Sequence, residues 1–539
     1  MKKFAFSCVA AFITVRLIAL TLVAFTQILV AIPAMAQVTT SQYDNPRTGA
    51  TLNEKILTPQ NVNAKQFGKL GAFKVDGAVY AQPLFIPSVE IPSKGKHDVL
   101  FVATEHDSVY AFDADRPGDP PLWHVSFLDK KRDITPLSAR DAQCPFIQPE
   151  IGITSTPVID LKTGTLYVLA RTMIDPTFGN KTYFQHLHAL AITTGVEKFD
   201  GPKLISASVP GKGAGGESGQ VRFDPLRENP RASLLLANDI LYLTWASACD
   251  LDPYHGWVMA YDPQTLAQKA VLNVTPDGDQ GGIWASDTGP AADADGNIYV
   301  PTGNGTFDAG SGGRDYGDTV LKLGLNGSSL AIRDYFTPHD QEQISSADAD
   351  IGSSGPLLVP DQPGPHRHLL LQPTKHSRLY VIDRDRMGKF QLDRDDIVQT
   401  IRMAGGGYGA MAYWNGHVFF AASDDYLRDY AIKNGHLALS ESSSNKFENP
   451  GATPSVSADG KKNGVVWAIA TKTWDGPDNK PAVLYAFDAT KLGQPIYTSE
   501  QNSQRDRAAM ATRFVIPVVV NGRVYFGARG EVEVYGLLP

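Results

Sequence analysis

The chain has little cysteine: three residues in 539, at positions 8, 144 and 249. No Cys-x-x-Cys-His segment occurs, so no c-type haem is attached and any electrons handled here would have to leave to a separate acceptor. GxSxG and HExxH are also missing, which removes the hydrolase elbow and the zinc-protease helix. The glycine-rich run Gly211–Gly219 lacks a following Lys-Ser or Lys-Thr and a helix, so it is no phosphate loop and reads as a flexible insertion on a rim. Positive charge is not in excess: 49 Lys and Arg stand against 57 Asp and Glu, a net charge of −8, with no basic footprint for nucleic acid. No low-complexity linker and no amphipathic helical stretch divides the chain. The expected partners are therefore a small-molecule ligand or a protein or glycan of the cell envelope.

The one long apolar run lies at the start. Lys2 and Lys3 precede Phe4 to Pro33, and Ala34-Met35-Ala36 has the small-x-small pattern of a cleavage site before Gln37. Residues 1–36 read as a signal peptide, with an uncleaved anchor as the alternative. An exported protein, periplasmic or extracellular with no membrane span after cleavage, follows. In that compartment Cys144 and Cys249 form either one disulfide or two buried thiols, and sequence alone leaves both open.

Glycine (49) and proline (36) are plentiful and punctuate a repeat. Between Ala78 and Pro539 one pattern recurs eight times, as in DVLFVATEHDSVYAFDAD (98–115), DILYLTWASACDLDPYHGWVMAYD (239–262) and HLLLQPTKHSRLYVIDRD (368–385). Each copy follows a candidate innermost strand, among them AVYAQPLFI, ITSTPVID, RASLLLAN and FVIPVVV. Periods of roughly 40 to 60 residues without helices predict an all-β, eight-bladed propeller. The last copy stops at GLLP without an outer strand, and FGKLGAFKVDG, upstream of the first blade, is predicted to supply it and close the ring. The expected organisation is a leader over 1–36, an N-terminal extension over 37–66 and the propeller over 67–539.

Four segments carry chemistry. GGIWAS places Trp284; YVPTGNG places Asn304; FTPHD followed by DADIGSSGPLL places Asp348, with Asp350 behind it and Pro356 beyond; QPTKHSRLYVIDRD places Lys375. In this order they resemble the cofactor site of pyrroloquinoline quinone (PQQ) dehydrogenases, eight-bladed quinoproteins that oxidise alcohols or sugars. The resemblance covers most of the propeller as a repeat and becomes residue-specific from about Cys249 to Asp385. It implies PQQ stacked on Trp284, Ca2+ held partly by the Asn304 carbonyl, Asp348 as general base and Lys375 hydrogen-bonding the quinone oxygens. The lysine stretch is closest to that of membrane-type glucose dehydrogenases.

The departures are equally specific. The aromatic residue before the family's base is replaced by Ser345-Ser346-Ala347, and no vicinal cysteine pair exists. Leu251 falls at the calcium-binding glutamate, flanked by Asp250 and Asp252 as substitute metal ligands, and His255 at an arginine. A second resemblance, over nearly the whole mature chain, is to secreted bacterial PQQ-like repeat propellers of no settled activity. Two readings follow: a PQQ-binding oxidoreductase of alcohol or sugar hydroxyls, or a non-catalytic scaffold or binding propeller of the envelope. Lesser features read as ordinary structure: Asp293–Asn297 as a hairpin turn, Glu105-His106-Asp107 as a polar tight turn, and His186/His188 and His366/His368 as pairs without a third ligand.

Overall fold

The computed structural model describes residues 36–176, 179–286, 288–471 and 480–539; the leader lies outside them. The fold is an eight-bladed β-propeller, nearly all β. Blade 1 is Leu84–Ile91, Gly95–Ala103, Ser108–Asp113 and Trp123–Ser126, hydrogen-bonded in chain order. Blades 4, 5 and 6 repeat that meander, starting from Ala291–Ala292, Leu357–Leu358 and Ala412–Trp414. Blades 2 and 3, starting at Val158–Asp160 and Leu235–Ala237, carry extra strands. Blade 7 starts at Ser455–Asp459 and blade 8 at Val518–Val520. Every predicted innermost strand is thus an innermost strand.

Local chemistry sets the turns. Trp414 pairs with His417 and Val520 with Arg523, leaving two-residue loops Asn415-Gly416 and Asn521-Gly522. All four residues have positive φ, between 49° and 87°, as a type I′ hairpin demands and as Asn-Gly tolerates best. The second and third strands read as continuous apolar runs because both of their faces are covered. Trp257–Tyr261 and Leu369–Pro373 are buried at every position. Their side chains meet those of the next blade: Tyr167 and Leu169 of blade 2 share a cluster with Leu243 and Trp245 of blade 3, and Tyr299 of blade 4 one with Leu370 and Tyr380 of blade 5. Since each core lies between neighbours, the ring is stable only when closed. Closure is as predicted: Phe67–Ala78 pairs antiparallel with Arg523–Leu537, joining Phe67 to Leu537 and Lys74 to Glu531.

Of the segment 37–66 expected as an extension before the propeller, residues 38–49 run through its interior, while Leu52 and Ile56 beyond them are exposed. Val38 exchanges backbone hydrogen bonds with Phe85 of blade 1; Thr39 accepts from Ile159 N of blade 2; Asn45 Nδ2 donates to Leu236 O of blade 3. The carbonyls of Asn45, Pro46, Thr48 and Gly49 accept from Ala292, Leu358, Tyr413 and Val456, of blades 4 to 7. The Tyr43 hydroxyl accepts from Val519 N of blade 8 at 2.7 Å. Innermost strands surround the axis of a propeller, so a segment bonded to all eight of them crosses and plugs the channel. Arg47 is fully buried in the plug and donates to Thr40 Oγ1 and Ser41 O at 2.8 Å and to Pro290 O at 3.0 Å. Burial pulls its guanidinium down to about 10, still charged at neutral pH.

The glycine-rich insertion is less free than expected. Ser208–Pro210 and Gln220–Arg222 form a small hairpin, Gly213 and Ala214 donate to Pro276 O and Gly278 O, and His255 Nε2 lies 2.9 Å from Ala214 O.

Candidate functional site

The starts of the innermost strands and the ends of the second strands share one rim of the ring, because the two are antiparallel. A pocket of about 470 Å³ opens there, lined by residues just before the inner strands (Arg231, Trp284, Asp350, Tyr408, Phe514) and just after the second strands (Cys249, Asp250, Lys375). The volume suits a small-molecule site.

Trp284 sits between two glycines for steric reasons. A Cβ at Gly282 would lie 3.2 Å from the indole Nε1, and one at Gly303 3.2 Å from Cδ1, so both residues of the matched motifs leave room for the ring. Trp284 is half-buried, lines the pocket, and belongs to none of the apolar clusters between blades among the described residues.

Asp348 and Lys375 meet in the same pocket. Lys375 Nζ stands 2.6 Å from Asp348 Oδ1 and 3.7 Å from Asp350 Oδ1. Asn304 Nδ2 donates to Asp348 Oδ1 at 2.8 Å. Asp348, with φ of 50°, has a side chain 67% exposed, whereas that of Asp350 is 5% exposed. Burial, opposed by Lys375, pushes the Asp350 carboxyl up to about 7. Burial pulls Lys375 down, but Asp350 and Asp348 together carry it above its ordinary value. Asp250 also lines the pocket, accepts from the Tyr254 hydroxyl at 3.0 Å, and is raised chiefly by burial. A carboxyl held near neutrality beside a pocket is matched to proton transfer at physiological pH.

The proposed metal ligands are only partly assembled. Asn304 Oδ1 and Asp350 Oδ2 are buried acceptors without a hydrogen-bond partner, the kind of oxygen a cation takes. Asp252 is exposed and turned to Gln280 Nε2 at 3.2 Å, while Leu251 offers no oxygen from its side chain. Among the described residues no three His, Cys, Asp or Glu side chains stand together at ligating range. A calcium ion takes roughly six to eight oxygens, and this donor set does not supply them. His255 is buried between Thr275 Oγ1 and Ala214 O rather than in the pocket.

Several residues in and around the pocket were not placed there by the chain alone. Cys144 and Cys249 are joined, with Cα atoms 5.4 Å apart across 105 residues, and the bond lines the pocket. Arg231 and Arg513 stand at the starts of predicted innermost strands, where a charge at a propeller's mouth is the cue that was open to reading. Asp318 is fully buried; it is driven well above its usual range by burial first and by Asp350 next, and Gln341 Nε2 donates to it at 3.1 Å. Glu105–Asp107 is the expected tight turn, closed by Asp107 N to Thr104 O, but both acids are buried: Glu105 Oε2 accepts from Gly152 N and Thr154 Oγ1, and burial lifts Glu105 to about 7. In the histidine pairs, His188 lies against Glu197, His366 against Asp383 and His368 against Asp385. Asp293–Asn297 is a turn, closed by Asp293 N to Asn297 O.

No protein-family model matches the chain, and no curated protein matches it. Among solved structures it is similar to the quinohemoprotein alcohol dehydrogenase of Comamonas testosteroni, with a TM-score of 0.59 at 13% identity over 93% of this chain and 80% of that one. The quinohemoprotein alcohol dehydrogenase ADHIIG of Pseudomonas putida HK5 gives 0.58 at 14% identity, over 93% and 80%. A europium-containing methanol dehydrogenase gives 0.56 at 13%, over 94% and 100%. At such identities the likeness is one of fold.

Proposed function

We propose that this protein is an exported oxidoreductase of the quinoprotein type, which binds PQQ in the pocket on Trp284 and oxidises a hydroxyl of an alcohol or sugar. The observation that carries this reading is convergence. Trp284, Asp348 and Lys375, from segments up to 91 residues apart in the chain, line one pocket at the propeller's mouth, and Asn304 bonds to Asp348. The pocket suits a planar anion: an indole face for stacking and the Lys375 ammonium beside it. Export is supported by the leader-like start and by the Cys144–Cys249 bond, which persists in oxidising compartments.

PQQ, held on Trp284 and by Lys375, would supply a two-electron acceptor for the hydride of the carbinol carbon, its electrons leaving in turn to a separate acceptor. The chain's own groups handle the proton and the geometry. Asp348, exposed in the pocket mouth, takes the hydroxyl proton as the C–H bond breaks and the C=O bond forms. Lys375 holds Asp348 in place and presents its ammonium to negative charge on the cofactor's oxygens. Asp350, poised near neutrality, is the second proton holder behind them. Since the donor set for calcium is incomplete, no step is assigned to a metal.

Calorimetric titration of the mature protein with PQQ, with and without calcium, tests the reading. Binding in the micromolar range or tighter, lost in Lys375→Ala and in Trp284→Ala, is expected. Absence of binding to the folded wild type would leave the fold as a scaffold or glycan-binding propeller of the envelope.

A further inference from the structure

The pocket has a second cluster that the four motifs do not explain. Arg513 and Phe514 lead into blade 8, Arg231 into blade 3, and Phe146 lies in the segment before blade 2. In an eight-bladed ring blade 8 faces blade 4 across the axis, so Arg513 and Phe514 look across the mouth at Trp284. Guanidinium and ring alternate: the Arg513 guanidinium carbon is 4.8 Å from the Phe146 centroid and 5.6 Å from that of Phe514, and the Arg231 carbon is 4.9 Å from Phe514. Phe514 adopts φ of 62°, a costly conformation for a bulky residue, and Arg513 Nη2 donates to Phe146 O at 2.8 Å. Arg231 is 5% exposed, and its Nη2 is buried with no hydrogen-bond partner. Its charge acts on the buried Glu105 carboxyl, but among the described residues no ion pair or hydrogen bond joins the two. A charged side chain that lines a cavity while one of its donors is buried without an acceptor is expensive unless a ligand offsets the charge.

We infer that Arg231 and Arg513 form an anion subsite, and that the hydroxyl compound taken by this pocket carries a carboxylate. A planar carboxylate accepts from a guanidinium fork and lies between flanking rings, whereas a neutral alcohol leaves Arg231 unpaired. The hydroxyl half of the inference rests on the quinoprotein reading; the carboxylate half does not.

Mandelate and benzyl alcohol, which share a ring and a hydroxyl, are titrated calorimetrically into the mature protein with and without PQQ. Mandelate is expected to bind about tenfold tighter or better, as one charged hydrogen bond provides. Arg231→Gln should erase the preference and Arg231→Lys retain part of it, with benzyl alcohol unaffected. In the wild type benzoate should displace mandelate and benzamide should not, a comparison that needs no variant to fold. Equal affinity for the two compounds, a preference intact in folded Arg231→Gln, or displacement by benzamide as readily as by benzoate would each overturn the inference. Failure of PQQ to bind with the preference intact sinks only the quinone reading; PQQ binding without the preference sinks only this one.

Discussion

Replacing Arg47 by methionine probes whether the N-terminal plug holds the ring together. Methionine matches the stem of the side chain and removes the fork, so packing is largely kept while three bonds of 2.8 to 3.0 Å are lost, to Thr40 Oγ1, Ser41 O and Pro290 O. Each buried acceptor deprived of a charged donor costs about 1–3 kcal/mol. The wild type already bears the desolvation that lowers Arg47 to about 10, and the variant recovers part of it. A net loss of about 4 kcal/mol results. With an unfolding entropy near 2.1 cal/mol/K per residue over roughly 500 residues, this lowers Tm by about 4 °C. Differential scanning calorimetry of the mature protein, checked by urea denaturation, measures it, and PQQ affinity serves as the control because Arg47 is not in the pocket. A drop under 1 °C would show that the plug rides in the channel without bracing the blades.

Three further outcomes follow from the geometry. Cys144→Ser with Cys249→Ser opens a cross-link spanning 105 residues; the chain-entropy account gives a loss of up to about 4–5 kcal/mol, and a reductant should shift the wild-type melt to that of the variant. For Asp350 the folded pKa of about 7 exceeds the ordinary 3.8, so its stabilising contribution is full below about 3.8 and lost as pH rises through 7. Asp350→Asn should therefore gain on the wild type by about 2–4 kcal/mol at pH 8 and by little at pH 4, and parallel pH–Tm profiles would refute the assigned burial. Gly303→Ala places a methyl 3.2 Å from Trp284 Cδ1; a cost of about 1–2 kcal/mol, altered quenching of the indole by acrylamide and weaker PQQ binding are expected, and unchanged quenching would mean that the indole is not seated between Gly282 and Gly303.

The architecture was open to reading because it is written locally and repeatedly. Recurrent strand-forming runs, the glycines and prolines between them and a missing outer strand at the C-terminus each constrain a few neighbouring residues, and eight repetitions make the ring. The same locality made Trp284, Asn304, Asp348 and Lys375 visible, since each lies in a short motif at a strand end. What the tertiary structure decided are relations between residues far apart in the chain. Residues 38–49 look like a polar extension because plug residues satisfy their backbone groups on six different strands and reach two more through the Asn45 and Tyr43 side chains, and no window of sequence contains both partners. The disulfide, the guanidinium–phenyl cluster and the Asp350–Asp318 pair likewise arise where ring closure brings separate blades to one mouth. Burial then sets charge: Asp348 and Asp350 are two residues apart, but Asp348 stands in a turn at φ of 50° with its side chain largely exposed, whereas Asp350 runs into the interior, where burial pushes its carboxyl up to about 7.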